Sequence, residues 1–198
     1  GVSVGTLYQY FPNRDALVTA LLADHLEHAI GALEGAVAAG AGIEGAVRAF
    51  LAAKAAQARE RGVSLRIGED TALVGALSHP VDTTTLVGNL IDNAIDAACD
   101  GPAPAEVEID VLRDGATLVV VVTDTGPGFA VEDPFSEGVT TRRDPTVPGG
   151  RGMGLAIARQ VARCHGGDVT VGSPGGPDCP EPTAVIATLP DGIRPDET

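Results

Sequence analysis

The chain has no tryptophan, two tyrosines, four phenylalanines and one methionine in 198 residues. Aromatic side chains cannot dominate its interior, so alanine, valine and leucine must supply the core. Hydrophobic content of 44% is enough for that, and disorder is not the default expectation. Cysteine is also scarce. Cys99, Cys164 and Cys179 are odd in number and widely spaced, with no C-x-x-C. That excludes a disulfide framework and a zinc site, and it points to a reducing compartment. Positive charge is short as well: 13 basic residues stand against 27 acidic ones, a formal charge of -14. Arg14 and Arg48 face five acidic residues within 1–53. Neither that part nor the rest has the basic footprint that non-specific nucleic-acid binding needs. A polyanionic ligand would have to be held by local donors against an unfavourable overall field. No apolar run approaches the roughly 18–20 residues of a membrane span, and no signal peptide is apparent.

Two textures meet near residue 53. Residues 1–53 read as helical. Ser3 can cap a short helix, "VGTLYQY", which "FPN" breaks, and Asn13 can cap a longer one. In that second helix Leu17, Leu21, Leu22, Leu26, Ile30, Leu33 and Val37 recur every three to four residues. A further helix is expected from about Ile43 to Arg61, ended by Gly62. From Val63 the pattern becomes mixed. "VSLRI" alternates as a strand. A helix follows over 83–99, with Thr83 as its expected cap. "EVEIDVLRDGATLVVVVTD" reads as a hairpin. Residues 130–150 form a long polar loop of the kind that often covers or binds a ligand. A helix over 153–165 stops at Gly166-Gly167, and "DVTVGS" and "TAVIATL" close the unit as strands.

Three stretches carry chemistry. In "NLIDNAIDAA" a helical wheel places Asn89, Asp92, Asn93 and Asp96 on one arc and Leu90, Ile91, Ala94, Ile95 and Ala98 on the opposite side. That arc is either a solvated face or a metal and phosphate site. In "VVVVTDTGPGF" a buried strand delivers Asp124 to its end. Gly126 and Gly128 then let a flat ligand approach the backbone. A carboxylate there can accept from the exocyclic amine of adenine, whereas the carbonyl of guanine would be repelled. The plainer reading is a strand ending in a turn-forming aspartate. In "GGRGMGLAIARQ" glycines run into an apolar-periodic helix. The free N–H groups at its start suit an anion, although the spacing is neither a dinucleotide fingerprint nor a Walker loop.

Taken in order, these stretches resemble the ATP-binding domain shared by sensor histidine kinases, gyrase, the ninety-kilodalton heat-shock chaperone and the MutL repair protein. The resemblance covers about residues 54–192. "KAAQARERGVSL", "GNLIDNAIDAA", "PFSEGVTTR" and "GRGMGLAIARQVARCHGGDVTV" are most similar to bacterial sensor histidine kinases of the citrate and C4-dicarboxylate type. The resemblance implies an α+β fold, a two-layer sandwich whose mixed, mostly antiparallel sheet carries helices on one face. It also implies ATP and Mg²⁺ as ligands. Asn93 would ligate the metal, with Asn89 beside the phosphates. Asp124 would read adenine, and Gly126 and Gly128 would shape the base pocket. Gly152, Gly154 and Leu155 would cradle phosphate. Phe135, Thr140, Thr141 and Arg142 would belong to a lid, and Arg143 and Arg151 would offset the acidic field. Implied partners are a histidine-bearing domain and a response regulator in trans, with the unit on the cytoplasmic side of a membrane-anchored parent. In hydrolysing members of the superfamily a glutamate base stands where this chain has Asn89. An amide cannot take a proton at neutral pH, so phosphoryl transfer is favoured over an ATPase reading.

A phosphoacceptor is not apparent. His25 and His28 lack the acidic neighbour and the polar residue four positions on, His79 precedes Pro80, and His165 ends a helix where a cation suits the dipole. "GVSVGTLYQYFPNRDALV" resembles the recognition helix of tetracycline-repressor-family regulators, with Thr6, Tyr8 and Tyr10 on the groove-facing side. The bracing helices that such a motif needs do not precede it, so DNA binding is not expected.

Overall fold

The computed structural model describes residues 43–69, 71, 76–130, 133–135 and 154–194. Expectations for the N-terminal helices, His25 and His28, and for Thr140, Thr141, Arg142, Arg143, Arg151 and Gly152, fall outside these residues. Helix α1 spans Ile43–Glu60. Gly62 ends it at φ 77°, and Val63 N–H reaches back to the Ala58 carbonyl at 2.9 Å, a left-handed stop that glycine adopts without strain. The change of texture near residue 53 falls inside this helix, and Phe50 and Leu51 before it are buried in the core.

Strand β1 (Ser64–Ile67) and a two-residue strand β2 (Ala76–Leu77) precede helix α2, Pro80–Asp100. This helix starts one turn earlier than expected. Thr83 is not its cap. His79 occupies that position with no side-chain hydrogen bond, and Pro80 follows at the first helical position. Proline has φ already set for a helix and lacks only an N–H that would be unpaired there anyway. The Thr84 and Thr85 hydroxyls donate back to the Pro80 and Val81 carbonyls at 2.7 and 3.0 Å.

The hairpin forms as β3 (Glu106–Asp114) and β4 (Thr117–Asp124). Helix α3 (Gly154–Cys164), strand β5 (Asp168–Ser173), strand β6 (Thr183–Leu189) and strand β7 (Ile193–Arg194) complete the described chain. The main sheet has the order β1-β3-β4-β6-β5, and β2 pairs with β7 separately. Only β1 and β3 run parallel; the other pairs in the main sheet are antiparallel. Alternation along β4 buries Leu118, Val120, Val122 and Asp124 and leaves the intervening residues half-exposed, the period of two that a one-faced sheet requires. Leu118, Val120 and Val122 share one core with Leu86, Leu90, Ile91 and Ile95 of α2 and Leu155 and Ala158 of α3. Each large aliphatic side chain so buried contributes about 1.5–3 kcal/mol. The expected α+β sandwich, with its helices on one face, is therefore present.

Candidate functional site

The polar arc of α2 divides between two neighbours. Its carboxylates turn to α1: Lys54 Nζ lies 2.7 and 2.8 Å from the Asp92 oxygens, and Arg61 lies 2.7 Å from Asp96. Its amides stay on the other side. Asn89 Nδ2 donates to the Thr85 carbonyl at 2.8 Å, which leaves its oxygen outward. A Cβ built on Gly154 would sit 3.3 Å from that oxygen, so the start of α3 abuts Asn89. Asn93 is half-exposed, and among the described residues no hydrogen-bond partner holds its amide. Two motifs separated by sixty-odd residues of sequence thus meet.

Asp124 ends β4 with only 3% of its surface exposed. Gly126 N–H donates to its Oδ1 at 2.8 Å, and Thr183 stands opposite it in the register with β6. Burial pushes the carboxyl up to about 6, against the Gly126 hydrogen bond and the nearby Thr183 hydroxyl, which favour the ionised form. That hydroxyl is buried and forms no well-aligned hydrogen bond. A buried acceptor and an unspent hydroxyl therefore sit together at the end of the central strand. Thr183 was missed in the sequence; the signal was its place at the head of the strand paired with β4. Gly128 has φ 82°, and a Cβ there would lie 2.6–2.7 Å from the 174–176 backbone. The close approach at this glycine is made by the protein's own β5–β6 loop. Asp124 to Pro127 form one wall of an open pocket of about 560 Å³, lined also by Pro102 and by residues 176, 177 and 180–182.

Leu155 is 6% exposed and packs in the core behind the start of α3. Phe135 differs from the expectation that it belongs to a lid. It is itself core, 9% exposed, with the Arg159 guanidinium 4.8 Å from its ring centroid. Arg159 also reaches Asp168 at 2.8 Å and Asp133 at 3.6 Å. His165 does more than suit a dipole: its Nε2 lies 2.7 Å from Asp82, and its ring stacks on His79 at 4.1 Å. This joins the far ends of α2 and α3. Cys99, Cys164 and Cys179 are free thiols. Among the described residues no group of three or more His, Cys, Asp or Glu forms a metal cage, and no helix is long and apolar enough to cross a membrane.

Residues 78–193, more than half of the chain, match the family of histidine kinase-, DNA gyrase B-, and HSP90-like ATPases. The chain belongs to this family. Its relatives include the sensor protein CitS of Bacillus subtilis, 36% identical over 129 residues, which covers 61% of this chain and 22% of CitS. The sensor histidine kinase DcuS of Escherichia coli is 32% identical over 133 residues, 64% of this chain and 23% of DcuS. The chain therefore spans less than a quarter of the length of these relatives. Among solved structures, the mycobacterial sensor histidine kinase MprB aligns with a TM-score of 0.54 at 24% identity, over 75% of this chain and 97% of that one. Full-length ShkA in complex with AMPPNP aligns with a TM-score of 0.61 at 24% identity, over 77% of this chain and 31% of that one. At such identity these alignments establish the fold. Asn89 and Gly154 meet between α2 and α3, Asp124 and Gly126 stand together at the end of β4, and Asn93 is half-exposed on α2. Lys54 and Arg61, which hold the carboxylates of α2, stand in the "KAAQARERGVSL" stretch that carries the resemblance, but nothing in it marks them as site residues.

Proposed function

We propose that residues 54–192 bind Mg·ATP as the catalytic domain of a two-component sensor histidine kinase, and that the γ-phosphoryl group passes to a histidine supplied in trans. The observation that carries this reading is the buried Asp124 acceptor, held by the Gly126 N–H at the end of β4. Asp124 takes the exocyclic amine of adenine, and the Thr183 hydroxyl serves the same base. Gly126 and Gly128 let the ring lie against the backbone. Asn93 is the protein ligand for Mg²⁺: its amide oxygen is a hard donor with no competing partner among the described residues, which fits a cation that keeps most of its waters and takes few protein oxygens. The metal supplies charge neutralisation on the phosphates. The N–H groups at the start of α3, from Gly154 and Leu155 together with Gly152, cradle phosphate oxygens. Thr140, Thr141 and Arg142 complete the binding set from the segment before α3.

Asn89 sets the reaction class. Its amide is engaged with Thr85 and has no basic lone pair, so water is not activated there; loss of a general base costs about 10²–10⁴-fold. A neutral imidazole brings its own lone pair and asks only for position. A histidine-bearing domain and a response regulator are the partners that this reading requires. Titration with a fluorescent ATP analogue, with and without Mg²⁺ and with GTP as competitor, tests it. Metal-enhanced binding that ATP displaces and GTP does not is expected. Equal displacement by GTP would remove Asp124 from the role of base reader.

A further inference from the structure

We infer that Lys54 and Arg61 of the α1 segment are positioning residues for the metal-binding face of α2, an inference that rests on the Mg·ATP reading above. The contacts form a ladder. Phe50 of α1 comes within 3.6 Å of a Cβ built on Gly88, Lys54 holds both oxygens of Asp92, and Arg61 holds Asp96. The steps on α2 are four residues apart, so α1 follows one stripe of that helix. On the wheel the stripe lies beside the asparagines, with Asp92 and Asn93 successive residues. They lie about 100° apart around the axis, so rotation of α2 carries the Asn93 amide off the ligand and brings the Asp92 carboxylate toward it.

Two physical consequences follow. The first is geometric. Lys54 is largely buried, its side chain 14% exposed, with its ammonium 6.0 Å from the Phe50 ring centroid. A short, two-oxygen contact in that setting fixes the rotation of α2 and so the direction of the Asn93 amide. The second is electrostatic. Asp92 lies next to the metal-binding amide, where a carboxylate repels a triphosphate or draws the cation to itself. Lys54 offsets that charge at 2.7 Å, where a partly desolvated pair interacts far more strongly than in water. The preceding chain thus reaches the site through these two cations, with Lys54 the nearer to Asn93 in the ladder. Displacement of α1 along its own axis, by whatever lies upstream, would weaken binding without touching a ligand atom.

The test is nucleotide affinity of the full 198-residue chain in Mg²⁺ and in chelator, read with the fluorescent ATP analogue. Lys54→Met keeps the apolar stem and removes the cation. We expect about a tenfold loss in Mg²⁺ and no change in chelator, where the adenine contacts alone bind. Lys54→Arg should restore the metal-dependent part, and Lys54→Met combined with Asp92→Asn should recover most of it, because no carboxylate then needs offsetting. Thermal melts check that each variant is folded. Unchanged affinity of Lys54→Met in Mg²⁺, or an equal loss with and without metal, overturns the inference while the nucleotide reading stands. Absence of nucleotide binding by the wild-type chain overturns both.

Discussion

Asp124 carries opposite demands for stability and for binding. Its folded value of about 6 lies about two units above that of an unfolded aspartate. Between about pH 4 and 6 the folded state therefore binds more protons than the unfolded state, and stability falls as pH rises through that window. The cost above pH 6 is about 3 kcal/mol, at 1.36 kcal/mol per unit. Asp124→Asn should accordingly raise the melting temperature of the nucleotide-free chain by several degrees at pH 7.5, and the gain should vanish near pH 4. Binding moves the other way. The adenine amine needs the ionised acceptor, so ATP affinity of the wild-type chain should fall about tenfold per pH unit below 6, and Asp124→Asn should be weak and flat across the same range. A variant that melts higher and still binds as well as wild type would detach this carboxylate from the base. The aspartate was legible in the sequence from the run of valines before it. Its raised titration was not, because that comes from burial, which only the assembled fold imposes. Gly128 is the other residue whose role is decided by contact. Gly128→Ala adds a methyl at positive φ against the 174–176 backbone, and a loss of about 2 kcal/mol or more is expected in denaturant titrations.

At the level of elements, periodicity located the helices and strands, and failed where a side chain outside the element decides. The start of α2 moved from Thr83 to Pro80 because a proline at the first position outweighs a hydroxyl cap, and nothing in the hydrophobic period records that choice. Strands β2 and β7 have two residues each, too few to show a period at all. The carboxylates of α2 fell on the expected arc, but a wheel cannot tell which neighbour sits on it. The join between α3 and β5 is a case where the neighbour can be tested. Asp168 is held well below the usual carboxylate range, first by its hydrogen bond to Arg159 and then by Arg163. A lowered carboxyl stabilises the fold above the unfolded value and loses that contribution as pH falls through the folded one. Arg159 also covers Phe135. Arg159→Ala should therefore cost about 1–2 kcal/mol at neutral pH, with the charge part kept small by the exposure of Asp168. The deficit should shrink below about pH 4, while the part due to the uncovered Phe135 ring persists. Urea melts of wild type and variant at pH 7 and pH 3 separate the two contributions; a deficit that is the same at both would assign the whole effect to the ring.

On the scale of the whole molecule, the formal charge of -14 sets a condition on any phosphate ligand. The nucleotide reaches Asn93 through a repulsive field, and only short-range donors hold it once it is there. Salt distinguishes the two. Between about 0.01 and 0.15 M ionic strength the Debye length falls from about 30 to about 8 Å, which removes most of the long-range repulsion and leaves contacts within the site nearly untouched. Association of ATP should therefore speed up with salt, the reverse of steered binding to a basic cleft. The effect should be larger for the metal-free nucleotide, which carries more charge, than for Mg·ATP, and dissociation should change little. Stopped-flow traces with the fluorescent analogue at three salt concentrations give both rates directly. Association that slows with salt would mean that the local field at the mouth of the site is positive. The arginines of the 142–151 segment would then outweigh the acidic body of the protein at the distance where encounter is decided.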